Sequence, residues 1–301
     1  MKMSVVVVFA ALLLPSAVLS LEVSVYSMVM LPNNTIGPAY ITFLPGSPVV
    51  ALTGISNGDY GWNGTLCDNN TSPSLFGTCG RALGIATNTS GFIYFCDAYK
   101  GLFGVGPSGG PATLLFPYLF FCNAVDIDSI GMVYFTDGSQ KYRNNSLARI
   151  NDTSGRLLRY DPNTRDVTVL ATGLATPTGI ALSSDNSYIL ITQLIKDTIL
   201  KFYITGPKVD SLEVFARNIP GASNVRRSLD GSNYYVPQNP KPYSHFLLRI
   251  NSTGNVQANL SIAGPYSNIA YFRDARPVSP TAFYIGSQYA NFLGVATIFG
   301  F

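Results

Sequence analysis

Short apolar cores separated by polar turns recur along the whole chain. They read PVVAL from Pro48, FIYF from Phe92, MVYF from Met132, YILI from Tyr188, NYYV from Asn233 and AFYI from Ala282. Runs this short, flanked by Gly, Asn, Asp and Ser, read as strands rather than helices. Turn residues precede four of them: NTSG before Phe92, DSIG before Met132, SSDNS before Tyr188 and LDGS before Asn233. Stretches between the cores, such as LLRYDP from Leu157 and LKFYITGP from Leu200, alternate apolar and polar positions and end in turn residues. That is the pattern of strands with one buried face.

Successive cores lie 44, 40, 56, 45 and 49 residues apart. A four-stranded propeller blade takes roughly 40–50 residues, so the period predicts an all-β, six-bladed β-propeller of four-stranded antiparallel blades. Each blade buries its faces only against its neighbours, so the ring has to close. Two β-sandwiches would need no fixed period. No shift of composition marks a linker, and one domain over residues 21–301 is predicted. Insertions between Cys67 and Cys79, between Gln140 and Gly155, and around Asn239 to Ser244 are expected as loops on the ring faces.

Residues 1–20 have the three parts of a secretory signal: Lys2, the apolar run Val5 to Leu14, and the small side chains Val18 and Ser20 before the cut. The run is too short to span a bilayer, so no membrane association is expected once the signal is removed. Nine Asn-X-Ser/Thr sequons, at Asn33, Asn63, Asn69, Asn70, Asn88, Asn144, Asn151, Asn251 and Asn259, agree with a glycoprotein of the secretory route. Cys67 and Cys79 bracket a polar loop of a length that a disulfide closes in an oxidising compartment. Cys96 and Cys122 sit beside blade strands, as free buried thiols or as a second bridge. Charged residues make up 12% of the chain and the formal net charge is only +3. With Arg226-Arg227 as the densest basic pair, no nucleic-acid footprint is expected. A monomer with a small-molecule ligand is.

A propeller channel and its mouths form the usual ligand site, because the inner strands converge there. The supply of catalytic groups is thin. His245, in YSHFLLRI, is the single histidine, expected as a packing residue, and neither a serine triad nor a zinc site is expected around it. The chain has two glutamates, Glu22 and Glu213, and neither is expected in the channel. Acid–base work would fall to an aspartate. Asp126 and Asp128, alternating in VDIDS, read as turn caps. Asp97 in FCDAYKG and Asp137 in YFTDGS could face the channel or bond their own blade turn.

The segments CDNNTSPSLFGTCGR, YFTDGS, SGRLLRYDPNTRDVTVL, SSDNSYILIT and FYITGPK resemble the strictosidine synthase-like proteins of plants, and the likeness runs from about Gly37 to Phe299. The resemblance implies a six-bladed propeller akin to an alkaloid-forming synthase of the plant vacuole. It also implies kinship with calcium-dependent lactonases and esterases of the paraoxonase and gluconolactonase type. The synthase joins tryptamine to secologanin with a glutamate whose position falls on Asn268, in AGPYSNIAYFRD. An amide cannot take up that proton, so true strictosidine synthesis is not expected. The metal-dependent relatives hold calcium with oxygen ligands. Here Ala39 stands for an acidic ligand, Asn123 keeps an amide, Thr178 replaces another, Ser223-Asn224 replaces an Asp-Asn pair, and Gln193 replaces a glutamate. No calcium and no other cofactor is expected.

These positions, with Tyr99 and Tyr266 beside them, predict a neutral polar channel that binds an uncharged molecule such as a glycoside. Two other readings stay open. One is an active amine–aldehyde condensing enzyme or a hydrolase of esters or lactones. The other is a glycosylated, non-enzymatic interaction protein. The compartment expected is the secretory pathway, with the vacuole or the cell exterior as destination.

Overall fold

The computed structural model describes residues 19–30, 36–45, 50–55, 72–143 and 151–298. The expected leader to residue 18, Cys67, and the sequons at Asn33, Asn63, Asn69, Asn70 and Asn144 lie outside them.

The described chain is almost entirely strand. After β1 (Leu19–Met30), β2 (Ile36–Thr42) and β3 (Val50–Ile55) pair as a two-stranded sheet. A 3-10 turn over Pro73–Leu75 and a single helical turn over Phe76–Cys79 lead into the first full blade. That blade is β4 (Ala82–Thr87), β5 (Ile93–Asp97), β6 (Gly101–Val105) and β7 (Thr113–Phe116). The second is β8 (Cys122–Ile127), β9 (Val133–Asp137), β10 (Gly155–Tyr160) and β11 (Val167–Leu174). The third is β12 (Pro177–Leu182), β13 (Tyr188–Gln193), β14 (Thr198–Tyr203) and β15 (Leu212–Arg217). The fourth is β16 (Arg226–Arg227), β17 (Asn233–Lys241), β18 (Ser244–Asn251) and β19 (Val256–Ala263). The fifth takes β20 (Asp274–Pro277), β21 (Ala282–Gly286) and β22 (Phe292–Ile298) from the end of the chain and β1 from its start.

Five four-stranded antiparallel blades are therefore present among the described residues, not the six that the period predicts. The six apolar cores are all strands. Five are the second strand of a full blade, and the first coincides with β3 of the two-stranded sheet. That sheet occupies the gap between the first and fifth blades, where β2 packs against β4 on one side and β20 and β21 on the other. β1 closes the ring. It runs antiparallel to β22 over Val23–Met30 and parallel to β19 over Leu19–Ser24, so it serves the end of the chain and joins the last two blades into one eight-stranded sheet. Leu19 and Ser20, which the expected leader would include, already pair in this ladder.

Burial follows radial position. All six residues of β12, a first strand, are buried, while β15, the outermost strand of the same blade, is mostly exposed. First strands of neighbouring blades pack face to face so closely that they need glycine. A Cβ on Gly84 would lie 2.5 Å from the Asn123 carbonyl oxygen, and one on Gly179 would lie 2.5 Å from the Asn224 Cα. Cys96 of β5 and Cys122 of β8 form a disulfide between the first and second blades. Cys79 is also disulfide-bonded.

The turns are built as their residues predict. The side-chain oxygen of Asn88 accepts the N–H groups of Ser90 and Phe92, and Asp128 accepts those of Ile130 and Met132. In the next two blades a serine–aspartate pair does this work. Asp185 accepts from the hydroxyls of Ser183 and Ser187, and Asp230 from those of Ser228 and Ser232. These hydrogen bonds hold both carboxyls down to about 2, below the ordinary 3.8. A folded-state pKa below the unfolded one gives stability that is complete above about pH 4 and is lost as pH falls toward 2. The urea midpoint of the wild type should therefore fall more steeply between pH 4 and pH 2 than that of an Asp185→Asn/Asp230→Asn variant. Parallel pH profiles would rule this out.

Candidate functional site

The channel is lined by the first strands, and hydrogen bonds cross it from sector to sector. Tyr40 of β2 donates its hydroxyl to the Thr178 carbonyl at 2.6 Å and to Asn123 Oδ1 at 3.2 Å. Burial, the largest influence, raises that hydroxyl's pKa to about 12, so it remains a donor. Thr178 and Thr192 share a contact of 3.1 Å, and Thr192 donates to the Ser223 carbonyl at 2.6 Å. Three predicted channel residues, Asn123, Thr178 and Asn224, are thus buried in this network.

The channel is not neutral. Asp274, at the start of β20, is fully buried and accepts four hydrogen bonds: from Arg226 Nε (2.8 Å) and Nη2 (2.7 Å), Asn224 Nδ2 (2.9 Å) and the Ile41 N–H (2.8 Å). Arg226 Nη2 also donates to the Ile41 carbonyl at 2.9 Å. This paired charge corrects the expectation of a channel drained of charge, and sequence reasoning missed both partners. They lie 48 residues apart in no common motif.

The same group decides the question of calcium. A calcium ion takes about 6–8 oxygens, carboxylates among them. Both oxygens of Asp274 are filled by N–H donors, Ala39 has no donor atom, and Asn123 Oδ1 already accepts from Tyr40. No cluster of three or more His, Cys, Asp or Glu residues capable of holding a metal exists among the described residues. The residues present do not fit a calcium ion.

Cavities open at both ends of the channel. Where first strands begin, a cavity of about 520 Å³ is lined by residues including Ser223, Asn239, Lys241, Tyr271, Arg273 and Tyr289. The segment around Asn239 to Ser244, expected as a loop, is instead the end of the β17–β18 hairpin, and it supplies one wall. Arg273 is buried and its guanidinium donates to Gln288 Oε1 at 3.0 and 3.2 Å. Ser223 Oγ is buried without any hydrogen-bond partner. Where the first strands end, a smaller cavity of about 220 Å³ holds three arginines.

The remaining predicted site residues lie elsewhere. Asp97, Asp137 and Gln193 end the second strands of three successive blades, in register with Ala82, Cys122 and Pro177. Each accepts a backbone N–H just ahead of its own first strand: Asp97 from Arg81, Asp137 from Phe121 at 2.8 Å and Gln193 from Ala175 at 2.8 Å. They are pins that hold the blade start, which answers the alternative left open for the two aspartates. Asp137 also pairs with Arg156 at 2.6 Å. Tyr99 follows the first pin in a turn, with its ring 5.6 Å from Phe76. Tyr266 lies in the core of the fifth blade, where its hydroxyl donates to the Ile285 carbonyl at 2.6 Å. Asn268 ends an exposed 3-10 turn and does not line the larger cavity. Asp128 caps its turn as expected, but Asp126 reaches the Leu182 N–H of the next blade at 2.9 Å.

His245 is buried, with Nδ1 2.9 Å from Asn239 Oδ1 and Nε2 2.7 Å from the Ile269 carbonyl oxygen. Burial, the largest influence, lowers its pKa, against the hydrogen bonds. One string, Gly106-Pro107-Ser108-Gly109-Gly110, has the Gly-X-Ser-X-Gly spacing of a hydrolase elbow. Ser108 is on the exposed β6–β7 turn, whereas the single histidine is buried in the fourth blade, so no triad can form.

Protein STRICTOSIDINE SYNTHASE-LIKE 12 of Arabidopsis thaliana is 31% identical over 252 residues, covering 77% of this chain and 72% of that protein. The chain belongs to the strictosidine synthase-like family. The family model described as strictosidine synthase matches residues 123–207. Strictosidine synthase of Catharanthus roseus is 34% identical over 185 residues, which span 56% of this chain and 51% of that enzyme. Among solved structures, a calcium-binding regucalcin of Agrobacterium tumefaciens covers 93% of this chain with a TM-score of 0.61 at 13% identity. A gluconolactonase of Xanthomonas campestris covers 72% with a TM-score of 0.56 at 16% identity. At such identities they share the fold and nothing finer. This strictosidine synthase-like chain has no helix, among its described residues, long and apolar enough to cross a membrane.

Proposed function

We propose that this strictosidine synthase-like chain is a secretory-pathway glycoprotein that holds a small oxygen-rich molecule in its larger mouth cavity and does not condense tryptamine with secologanin. The observation that carries this is the cavity lining, which among the described residues contains no carboxylate and no imidazole. A general base has to stand within hydrogen-bond reach of the proton it takes. Asn268, at the family's glutamate position, is an exposed amide. Arg273 and Lys241 at the same mouth disfavour a protonated amine such as tryptamine. What the cavity offers instead are hydroxyl and amide groups, the partnerless Ser223 Oγ, and the Tyr271 and Tyr289 rings 6.0 Å apart. These suit an uncharged glycoside or an organic anion.

The Cys96–Cys122 bridge and the exposed sequon at Asn151 support an oxidising, glycosylating route, ending in the vacuole or outside the cell. Purified protein given tryptamine and secologanin should form no strictosidine, and turnover would sink the proposal. In thermal-shift assays neutral glycosides or small carboxylates should raise the Tm of the wild type and not of Ser223→Tyr, which fills the cavity. Protonated amines should raise neither.

A further inference from the structure

The smaller cavity, at the opposite face from the proposed ligand site, concentrates cationic groups with little to neutralise them. Its lining includes Arg226, Arg227 and Arg276 against one carboxylate, Asp126. Asp274 lies behind Arg226, so three positive charges meet two negative ones. Both acids are already occupied: Asp274 by the four donors described, and Asp126 by the N–H groups of Ile127 and Leu182. The arginines are not. Among the described residues the Arg276 guanidinium has no hydrogen-bond or ion-pair partner. Its guanidinium stacks with Cζ 5.1 Å from the Phe43 ring centre, which leaves the N–H edge of the fork free. Arg226 uses Nε and Nη2, leaving Nη1 without a partner among the described residues. Arg227 places one Nη1 bond, of 2.7 Å, on the Leu182 carbonyl.

A guanidinium this enclosed, with two others beside it, is held at a cost in electrostatic energy. Burial, followed by the charge of Arg226, pulls the Arg276 pKa down to about 10, which still leaves it cationic at neutral pH. Planar forks with unused donors, converging on a small cavity, match the geometry of a tetrahedral oxyanion. A volume of about 220 Å³ has room for a phosphate or sulfate group and for the small organic part of an ester beside it.

We propose that Arg226, Arg227 and Arg276 form a binding site for a small oxyanion of the phosphate class, separate from the ligand cavity at the other mouth. The ion enters beside Phe43 and Leu229, accepts from the free edge of Arg276 and from Arg226 Nη1, and is bounded by Arg227 at the rim. The source is either free phosphate or the phosphate group of a small ester.

The test is isothermal titration of the full chain with inorganic phosphate at constant ionic strength, repeated with glycerol 3-phosphate. Saturable one-to-one binding is expected in the wild type. It should weaken at least tenfold in Arg276→Gln and in Arg227→Gln, and stay unchanged in Lys208→Gln, whose lysine pairs with Glu213 on the third blade. The two glutamine variants give independent readings should one of them fold poorly by circular dichroism. Phosphate binding alone assigns the site to the free ion, and binding of both compounds assigns it to phosphate esters as well; either supports it. Absence of saturable binding in the folded wild type overturns the proposal. So does equal affinity in the wild type and the folded glutamine variants, the mark of a general salt effect.

Discussion

Replacing Asp274 by asparagine should destabilise the fold by about 3–5 kcal/mol, the usual cost of leaving one member of a buried ion pair unpaired. Asp274 belongs to the fifth blade, Arg226 to the fourth and Ile41 to the two-stranded sheet, so the carboxylate joins three sectors where the ring closes. The substitution keeps the shape but removes the charge that compensates Arg226, which is itself buried. It also puts an amide N–H₂ where an acceptor faces donors on every side. Arg226→Met should cost less, because the Ile41 N–H and Asn224 Nδ2 still donate to the carboxylate. The double variant Asp274→Leu/Arg226→Met should recover most of the loss, since a buried pair is often replaced by apolar residues at little cost. Urea unfolding of the wild type, Asp274→Leu, Arg226→Met and the double variant forms a double-mutant cycle. A loss below about 1 kcal/mol for Asp274→Asn would mean that water, not Asp274, stabilises Arg226.

Local chemistry was legible in the sequence, and pairing across the chain was not. Asn88, Asp128, Asp185 and Asp230 cap the turns that their residue types predict, because an Asx or Ser side chain bonds backbone only two to four residues away. The recurring cores are strands for the same local reason. The blade count differs at the first core, whose sheet holds two strands, β2 and β3, among the described residues; nor could the pattern show that β1 completes the last blade, since its partners β19 and β22 lie at the far end of the chain. A period counts repeats, and it cannot say which terminus completes which blade. The site failed in a similar way. Asp97 and Asp137 stand out as acids following apolar cores, yet that position in the first three blades pins the start of the first strand. Gln193 does so with an uncharged amide, so charge is not what the position requires. Asp274 was passed over because AYFRDARP has no motif. Its meaning comes from Arg226 and Ile41, which only closure of the ring brings to it. Asn123, Thr178, Ser223 and Asn224 each sit in or just ahead of a first strand, which a local pattern of strands and turns can indicate.

Removing the Cys96–Cys122 bridge should be the other large effect. The disulfide closes a segment of 26 residues. In the chain-entropy account, losing such a loop constraint costs roughly 3–4 kcal/mol. Against a typical total of about 5–15 kcal/mol, that is a large share of the stability of the whole domain. Its position adds a second reason. Cys96 is on the second strand of the first blade and Cys122 opens the first strand of the next, so the bridge joins two blades that otherwise meet through side-chain packing. A Cys96→Ala/Cys122→Ala protein should unfold at lower urea with the first two blades separating more readily, seen as faster amide exchange across β4 and β8. A reducing agent cannot test this cleanly, because it would also open the disulfide of Cys79. The paired alanine variant isolates one bridge. If it unfolds at the wild-type midpoint with the same exchange rates, packing alone holds these blades together and the bridge marks only the compartment in which the chain matures.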